Sequence, residues 1–354
     1  MTLQSRSGKP IGECGAPYVI AEIGTNHGRS IETARRLIWV ASEAGCDCVK
    51  FQIYEPDEIV NPAIRAADYG LAGLYGDISA RDMFERYLKT PKEWFPRLRD
   101  ESRALGLDCC VTLHGEQGAE WARGIGFDVI KVASMDHTNL PLFESLKALL
   151  DAPILVSLGM AEWDDTDRTV AALRPHQAGF GLFHCVSVYP PEVSELALGR
   201  IATLRKRYQV PVGFSDHTTW LSPAVMAYGL GATFFEKHIT LDRTTQGPDH
   251  PFAMEPRGLR RYVAAIRDSA RARGKDDEAE IAGRERDNRR AYLKSVHLRR
   301  SLSAGAVLGV GDLICVRPGT GIAPRHKDAL VGRKLARALG PDAPLQWSDL
   351  VPAL

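Results

Sequence analysis

Between residues 18 and 240 the chain repeats one pattern: a short, almost continuous apolar run, then a longer stretch whose apolar residues fall three and four apart. The runs are "YVIAEIG" (18–24), "CVKFQIY" (48–54), "DCCVTLH" (108–114) and "VIKVAS" (129–134). They continue with "PILVSLGM" (153–160), "GFGLFHCVSVYP" (179–190), "PVGFSDH" (211–217) and "ATFFEKHIT" (232–240). A run that is apolar on both faces predicts a strand buried on both faces, and so a parallel sheet covered by helices. The intervening "SIETARRLIWVASEAG" and "LPLFESLKALL" carry the helical period, and the first opens on a capping Ser30 and closes on Gly45. Eight such units within about 250 residues predict an α/β fold, the (β/α)8 TIM barrel. A doubly wound open sheet is the rival. Its dinucleotide-binding form is weakened because no G-x-G-x-x-G follows the first run.

The stretch between the second and third runs, including "EPDEIVNPAIRAADYGLAGLYGD", is too long for a plain crossover. Long connections at the strand ends of a barrel shape its substrate site. After Lys275 the sequence becomes dense in charge ("DDEAEIAGRERDNRRAY") and loses its apolar period, which predicts a linker. "LKSVHLRRSLSAGAVLGVGDLICVRPGTGI" then offers short β segments with Gly turns. The expected organisation is a barrel over 1–275, a linker over 276–289 and a small β-rich domain over 290–354.

Lys plus Arg number 45 against 44 Asp plus Glu, so the overall charge gives no nucleic-acid signal. The basic run from Arg261 to Lys275 alternates with apolar residues as a solvated helix face does. No apolar stretch is long enough to span a bilayer and the N-terminus lacks a secretory apolar core, so a soluble cytoplasmic protein is expected. The seven cysteines (Cys14, Cys46, Cys48, Cys109, Cys110, Cys185, Cys315) are odd in number and have no C-x-x-C spacing. Reduced, buried thiols are expected rather than a disulfide framework or a zinc site. Among them Cys185, beside His184, is the one candidate nucleophile.

In a barrel all strand C-termini face one mouth. Lys50 and Lys131 lie inside apolar runs, where an ammonium is costly unless it meets an anion. One reading pairs each with a structural carboxylate such as Glu22 or Glu236; the other places both at the mouth, facing an anionic ligand. Ser134, Ser157 and Ser215 also end runs and add directional donors, so the set suits a phosphate plus a carboxylate. His217 and His238 end the last two runs. Neighbouring strands about 4.8 Å apart would let both imidazoles reach one Mn2+, Fe2+ or Zn2+, with positions left for water and substrate. Two ordinary hydrogen-bonded core histidines are the alternative. Asn26, His27, Gln52, Thr112, His114, Asp136, Ser187, Tyr189 and Asp216 complete the run ends; Asp216 either orients His217 or caps the turn.

Taken in order, "IAEIGTNHG", "AGCDCVKFQ", "IKVASMD", "SLGM", "FHCVSVYPP", "GFSDHT", "FEKHIT" with "QGPDH", and "VRPGTG" span nearly the whole chain. Together they resemble the sialic acid synthase family (N-acetylneuraminate and other nonulosonic acid synthases), and the tail resembles the antifreeze-like domain those enzymes carry. The resemblance implies a metal-dependent condensation of phosphoenolpyruvate with an N-acyl hexosamine or related aldose. The product is a nonulosonic 2-keto acid, and phosphate leaves by C–O cleavage. Lys50, Lys131, Ser134, Ser157 and Ser215 would hold phosphoenolpyruvate, with Thr112 and Ser187 counted among the substrate contacts. His217 and His238 would hold the metal, most often Mn2+, with Mg2+ or another divalent ion as alternatives. Gln52, Asp136, Tyr189 and Asp249 would line the sugar site, with Asp136 as proton acceptor and Glu236 as a weaker one. Lys131 would neutralise the departing phosphate. Arg317 would reach into a partner subunit's barrel and hold the sugar's acyl group, which implies a domain-swapped homodimer.

The chain departs from the family pattern at four places. It has "NHGR" (Gly28, Arg29) for NHNG or NHEG, and "VTLH" (Leu113, His114) for STPF. Ser187 stands for an Asn and Asp136 for a frequent Glu. All four are expected on the acceptor side, so the reaction type is better defined than the sugar. Two rivals remain: a Schiff-base aldolase using Lys131 or Lys50 without a metal, and a non-catalytic carbohydrate-binding barrel.

Overall fold

The computed structural model describes residues 2–13, 15–274, 281 and 283–352. An N-terminal hairpin of β1 (Leu3–Gln4) and β2 (Pro10–Ile11) comes first. It is followed by β3 (Tyr18–Glu22), β4 (Cys48–Ile53), β5 (Asp108–Leu113) and β6 (Val129–Val132). Then come β7 (Ile154–Ser157), β8 (Phe180–Cys185), β9 (Val212–Asp216) and β10 (Phe234–His238). From β3 on, each strand pairs in parallel with the next and β10 closes on β3, which makes an eight-stranded barrel. The open-sheet rival is thereby set aside. Each strand lies within the run that predicts it; the runs extend further because their last residues enter the mouth.

Side chains alternate across a strand, so one register decides both faces. The outward set includes Val19, Ala21, Val49, Phe51, Val111 and Ile130, packed with buried residues of helices such as Ile31–Glu43. That helix begins as expected: the Thr33 N–H donates to Ser30 Oγ at 3.2 Å. Just past its end, Gly45 takes φ +81°, a left-handed turn that glycine adopts without strain. The inward set of the lower barrel is Tyr18, Ile20, Cys48, Cys110, Val129, Leu155, Phe183 and Phe234, plugged from below by Leu3 and Ile11 of the hairpin. Gly181 and Gly213 leave room for the Phe234 ring, which a Cβ on either would strike. The plug is latched at its edge, where Lys9 Nζ donates to Asp47 O at 2.9 Å and Gly106 O at 2.6 Å.

The long stretch between β4 and β5 forms short helical turns (Pro56–Glu58, Ala66–Tyr69, Ala72–Tyr75, Ala80–Met83, Phe84–Leu88) around a small core of Ala66, Met83 and Leu88. The described residues beyond Gly274 form a second compact unit. It contains a helix (Gly283–Tyr292) and the antiparallel pair β11 (Ser295–Leu298) and β12 (Leu313–Val316), over a core that includes Val296, Leu298, Leu313, Leu335 and Leu345. Of the expected 276–289 linker, residues 276–280 and 282 lie outside the described residues and 283–289 are helical. That helix buries no side chain, which is why its sequence shows no apolar period. Among the described residues no helix is long and apolar enough to cross a membrane. Cys46, Cys48, Cys109, Cys110 and Cys185 are buried free thiols, and Cys14 lies outside the described residues.

Candidate active site

Above the apolar plug the inward positions become polar. Glu22, Lys50, Thr112, Lys131, Ser157, Cys185, Ser215 and Glu236 form a layer near the strand ends. With Gln52, His114, Ser134, Tyr189, His217, His238 and Asp249 they line one cavity of about 360 Å³. That is ample for a small substrate pair.

Both buried lysines line the cavity, and both are paired with carboxylates. Lys50 Nζ lies 2.8 Å from Glu22 Oε2 and 3.7 Å from Glu236 Oε2, and donates to Thr112 Oγ1 at 2.7 Å. Lys131 Nζ lies 3.4 Å from Glu236 Oε2 and 5.1 Å over the Phe183 ring. Burial pulls the Lys50 ammonium down, but the Glu22 and Glu236 carboxylates more than offset it and hold it above the usual lysine range. A lysine so held is a cation, not an amine nucleophile. Burial pushes Glu236 up, yet Lys131 and then Lys50 pull it down to about 2.

The serines differ in what they already bond. Ser215 Oγ donates to Glu236 Oε1 at 3.0 Å, and the Gly159 N–H donates to Ser134 Oγ at 3.1 Å. Ser157 Oγ and Ser187 Oγ are buried without a hydrogen-bond partner. A Cβ on Gly159 would collide with Ser187 Oγ and come within 2.7 Å of Ser134 Oγ, so this glycine keeps the hydroxyls clear. Ser187 therefore belongs beside Ser134, although it does not line the cavity wall.

The rings of His217 and His238 are 5.5 Å apart between centroids. His217 Nδ1 lies 3.0 Å from Val186 O; a carbonyl only accepts, so the proton sits on Nδ1 and Nε2 keeps its lone pair. His238 Nδ1 has no hydrogen-bond partner and lies 3.6 Å from Asp249 Oδ2. Burial lowers His217 to about 4 and, with His217 beside it, drives His238 well below the usual range. Neutral imidazoles with free lone pairs are the form that binds a metal. Among the described residues no cluster of three or more His, Cys, Asp or Glu is arranged to hold an ion. A metal here would thus have two protein ligands, with the other positions open. Burial, and then Glu22, raise Asp249 to about 6.

Neighbouring positions resolve by strand alternation. Asp216 points outward, accepting from the Thr218 N–H at 2.8 Å and facing Lys237 Nζ at 3.2 Å, so it caps the turn rather than orienting His217. His184 also points outward and donates Nε2–H to Leu196 O at 2.7 Å; it cannot serve Cys185, whose thiol burial keeps protonated. His27 leaves the cavity for Thr90 Oγ1 at 2.8 Å, and Asn26 donates to Ile239 O at 2.9 Å.

The family departures are scattered rather than gathered on the acceptor side. Leu113 packs outward in the main core, and Arg29 donates to Glu85 O at 2.9 Å and Lys89 O at 3.2 Å. Of the altered positions only His114 lines the cavity; Asp136 does not, but bonds His114 Nδ1 through Oδ2 at 2.9 Å. Arg317, in the second unit, is exposed and lies 5.1 Å over the Tyr292 ring. The sequence reading missed the apolar wall of Tyr54, Ile59, Tyr69, Phe84 and Met135. For Tyr54, Tyr69 and Phe84 the one signal was the aromatic content of the long β4–β5 stretch.

Residues 37–278 match the model of the NeuB family, and residues 294–351 match the SAF domain. The chain is 31% identical over 347 residues to an N,N'-diacetyllegionaminic acid synthase of Legionella pneumophila, with 97% of each covered. It is 30% identical over 363 residues to an N-acetylneuraminate-9-phosphate synthase of Drosophila melanogaster, covering 94% of this chain and 96% of that one. The crystal structure of an N-acetylneuraminic acid (sialic acid) synthetase from Leptospira borgpetersenii is similar with a TM-score of 0.70 at 27% identity, covering 81% of this chain and 95% of that one. Barrel, tail and near-full-length likeness agree, and the chain belongs to the NeuB family of nonulosonic acid synthases.

Proposed function

We propose that this chain condenses phosphoenolpyruvate with an aldose, an N-acyl hexosamine or a close relative, to a nonulosonic 2-keto acid with release of phosphate. In this reading a divalent metal, Mn2+ foremost, is held by His217 and His238. One observation carries it: two ammoniums, a set of serine hydroxyls and two neutral imidazoles converge on a single cavity at the mouth of the barrel. Lys50 and Lys131 are already shared with Glu22 and Glu236. They alone leave little net positive charge for a phosphate plus a carboxylate, and a divalent cation on the two histidines closes that deficit. Such an ion, when bound, supplies Lewis acidity toward the acceptor's carbonyl oxygen.

The chain's own residues do the rest. Lys50 and Lys131 bind the anionic groups, and Ser134, Ser157, Ser215 and Thr112 orient them, with Ser187 set behind Ser134. The enol carbon attacks the aldehyde carbon, water adds at C2, and the hemiketal phosphate collapses with cleavage of its C–O bond. Lys131 stabilises the charge that gathers on the leaving phosphate. Gln52, Tyr189 and Asp249 face the sugar, whose apolar substituents meet the wall of Tyr54, Tyr69 and Phe84. The described lining holds no lysine or arginine beyond Lys50 and Lys131, which favours an unphosphorylated acceptor. The SAF match and the exposed, Tyr292-backed Arg317 support a domain-swapped homodimer in which Arg317 serves the partner's barrel.

Phosphate release from phosphoenolpyruvate, measured with Mn2+ against a panel of N-acyl hexosamines, deoxy diacetamido sugars and a hexosamine 6-phosphate, tests this. Turnover with an unphosphorylated aldose, lost in EDTA and restored by Mn2+, is expected. Full EDTA-resistant activity in His217→Ala and His238→Ala would remove the metal from the reading. An unchanged acceptor KM in Arg317→Ala would remove the swapped domain.

A further inference from the structure

We propose that His114, held by Asp136, is the proton-transfer residue of this reaction, an assignment that rests on the synthase reading above. His114 directly follows the last residue of β5, and its buried ring lines the cavity, with the Tyr54 ring edge-on at 5.8 Å. Nδ1 lies 2.9 Å from Asp136 Oδ2. A carboxylate only accepts, so Nδ1 carries the proton and Nε2 is left as the basic lone pair. Asp136 does not line the cavity. It acts on the substrates only through this ring, in the way a carboxylate fixes the tautomer of a catalytic imidazole.

The other carboxylates and the remaining titratable groups of the cavity have partners or places of their own: Asp249 accepts from Thr25 Oγ1 at 3.2 Å, lies 3.6 Å from His238 Nδ1 and belongs to the sugar side. Glu236 is shared by two ammoniums and Ser215, and Glu22 is paired with Lys50 and Gln52. The Cys185 thiol is held protonated by burial, and a phenol such as that of Tyr189 is protonated at neutral pH. His217 and His238 are the metal pair.

Attack by the enol carbon forms the C–C bond and turns the aldehyde oxygen into an alkoxide, leaving C2 electron-deficient. Water adds to C2, its O–H bond breaks, and the proton passes to His114 Nε2 while Asp136 stabilises the imidazolium. The imidazolium returns that proton to the alkoxide, which becomes the hydroxyl of the product. The bond from C2 to the phosphate oxygen then breaks, its electrons leave with the phosphate, and the C2 hydroxyl proton goes to that phosphate as the ketone forms. No other reactant is needed.

The test is phosphate-release kinetics on the full chain with Mn2+, phosphoenolpyruvate and the best acceptor. His114→Ala should lower kcat by about 10²–10⁴-fold and leave the phosphoenolpyruvate KM within about threefold. Added imidazole should restore part of the loss. Asp136→Asn should lower kcat by on the order of tenfold or more, and Asp136→Glu should recover most of it, both with an unchanged thermal midpoint. If His114→Ala and His114→Gln keep kcat within about threefold, the assignment is overturned. A loss that imidazole does not touch overturns it too, because a packing role predicts that result. A wild-type chain that releases no phosphate with any aldose sinks the synthase reading and this one together. An active wild type with an active His114→Ala sinks only this one.

Discussion

The two halves of the barrel interior follow the same alternation of side chains and end in opposite chemistry. Below, Tyr18, Ile20, Cys48, Val129, Leu155 and Phe234 make an apolar plug closed by Leu3 and Ile11. One inward step further along the strands, Ile20 gives way to Glu22, Cys48 to Lys50, Val129 to Lys131, Leu155 to Ser157 and Phe234 to Glu236. Apolar burial stabilises the lower half at about 25 cal/mol per Å². The upper half buries charges whose desolvation offsets much of their mutual attraction. The fold is thus held from below, and the reactive layer is a cost that the lower half allows the upper one to carry.

This contrast can be broken from either end. Phe234→Ala should lose about 3–5 kcal/mol of stability, read from denaturant midpoints, because it opens a cavity that Gly181 and Gly213 border. Lys131→Met should do the reverse. Activity should fall by about 10²–10³-fold, with stability unchanged or raised, since Glu236 still has Lys50 at 3.7 Å. A Lys131→Met chain that unfolds early would show the upper layer to be structural.

Acidification should act on the upper end. His27 accepts from the Arg29 N–H at 3.0 Å and must stay neutral to do so. Burial, and then Arg29, lower it from 6.5 to about 4. Its contribution is therefore full above pH 6.5 and is lost as pH falls from 6.5 to 4, where the unfolded chain binds the extra proton; at 1.36 kcal/mol per unit this is about 3 kcal/mol. His27→Gln should flatten that part of the stability–pH curve, and a curve unchanged by the substitution would contradict it. Ser157→Ala is the smallest effect. Its hydroxyl has no partner to lose, so unfolding should be unaffected, while the phosphoenolpyruvate KM should rise about tenfold.

The eight strands were legible because each is apolar on both faces, and Ser30 and Gly45 marked their helix correctly. Lys50, Lys131, His217 and His238 stood out because a charge or imidazole in such a run must find a partner, whether a structural one or a ligand. The long β4–β5 stretch was legible only as long. Its aromatic wall depends on short turns folding on Ala66, Met83 and Leu88, a core too small to leave a period in the sequence. The family departures were readable as substitutions, but not as places.

By itself the sequence determined the barrel, its order of strands and the residue types at its mouth, since local alternation and periodicity encode which side chains are buried. Only the tertiary structure decided partnership. It turned Asp216 and His184 outward, gave both lysines to carboxylates, sent Arg29 to the carbonyls of Glu85 and Lys89, and joined His114 to Asp136 across 2.9 Å. Such pairings join residues from different strands and loops, and the distance between them is fixed by the closure of the sheet, which no stretch of sequence contains.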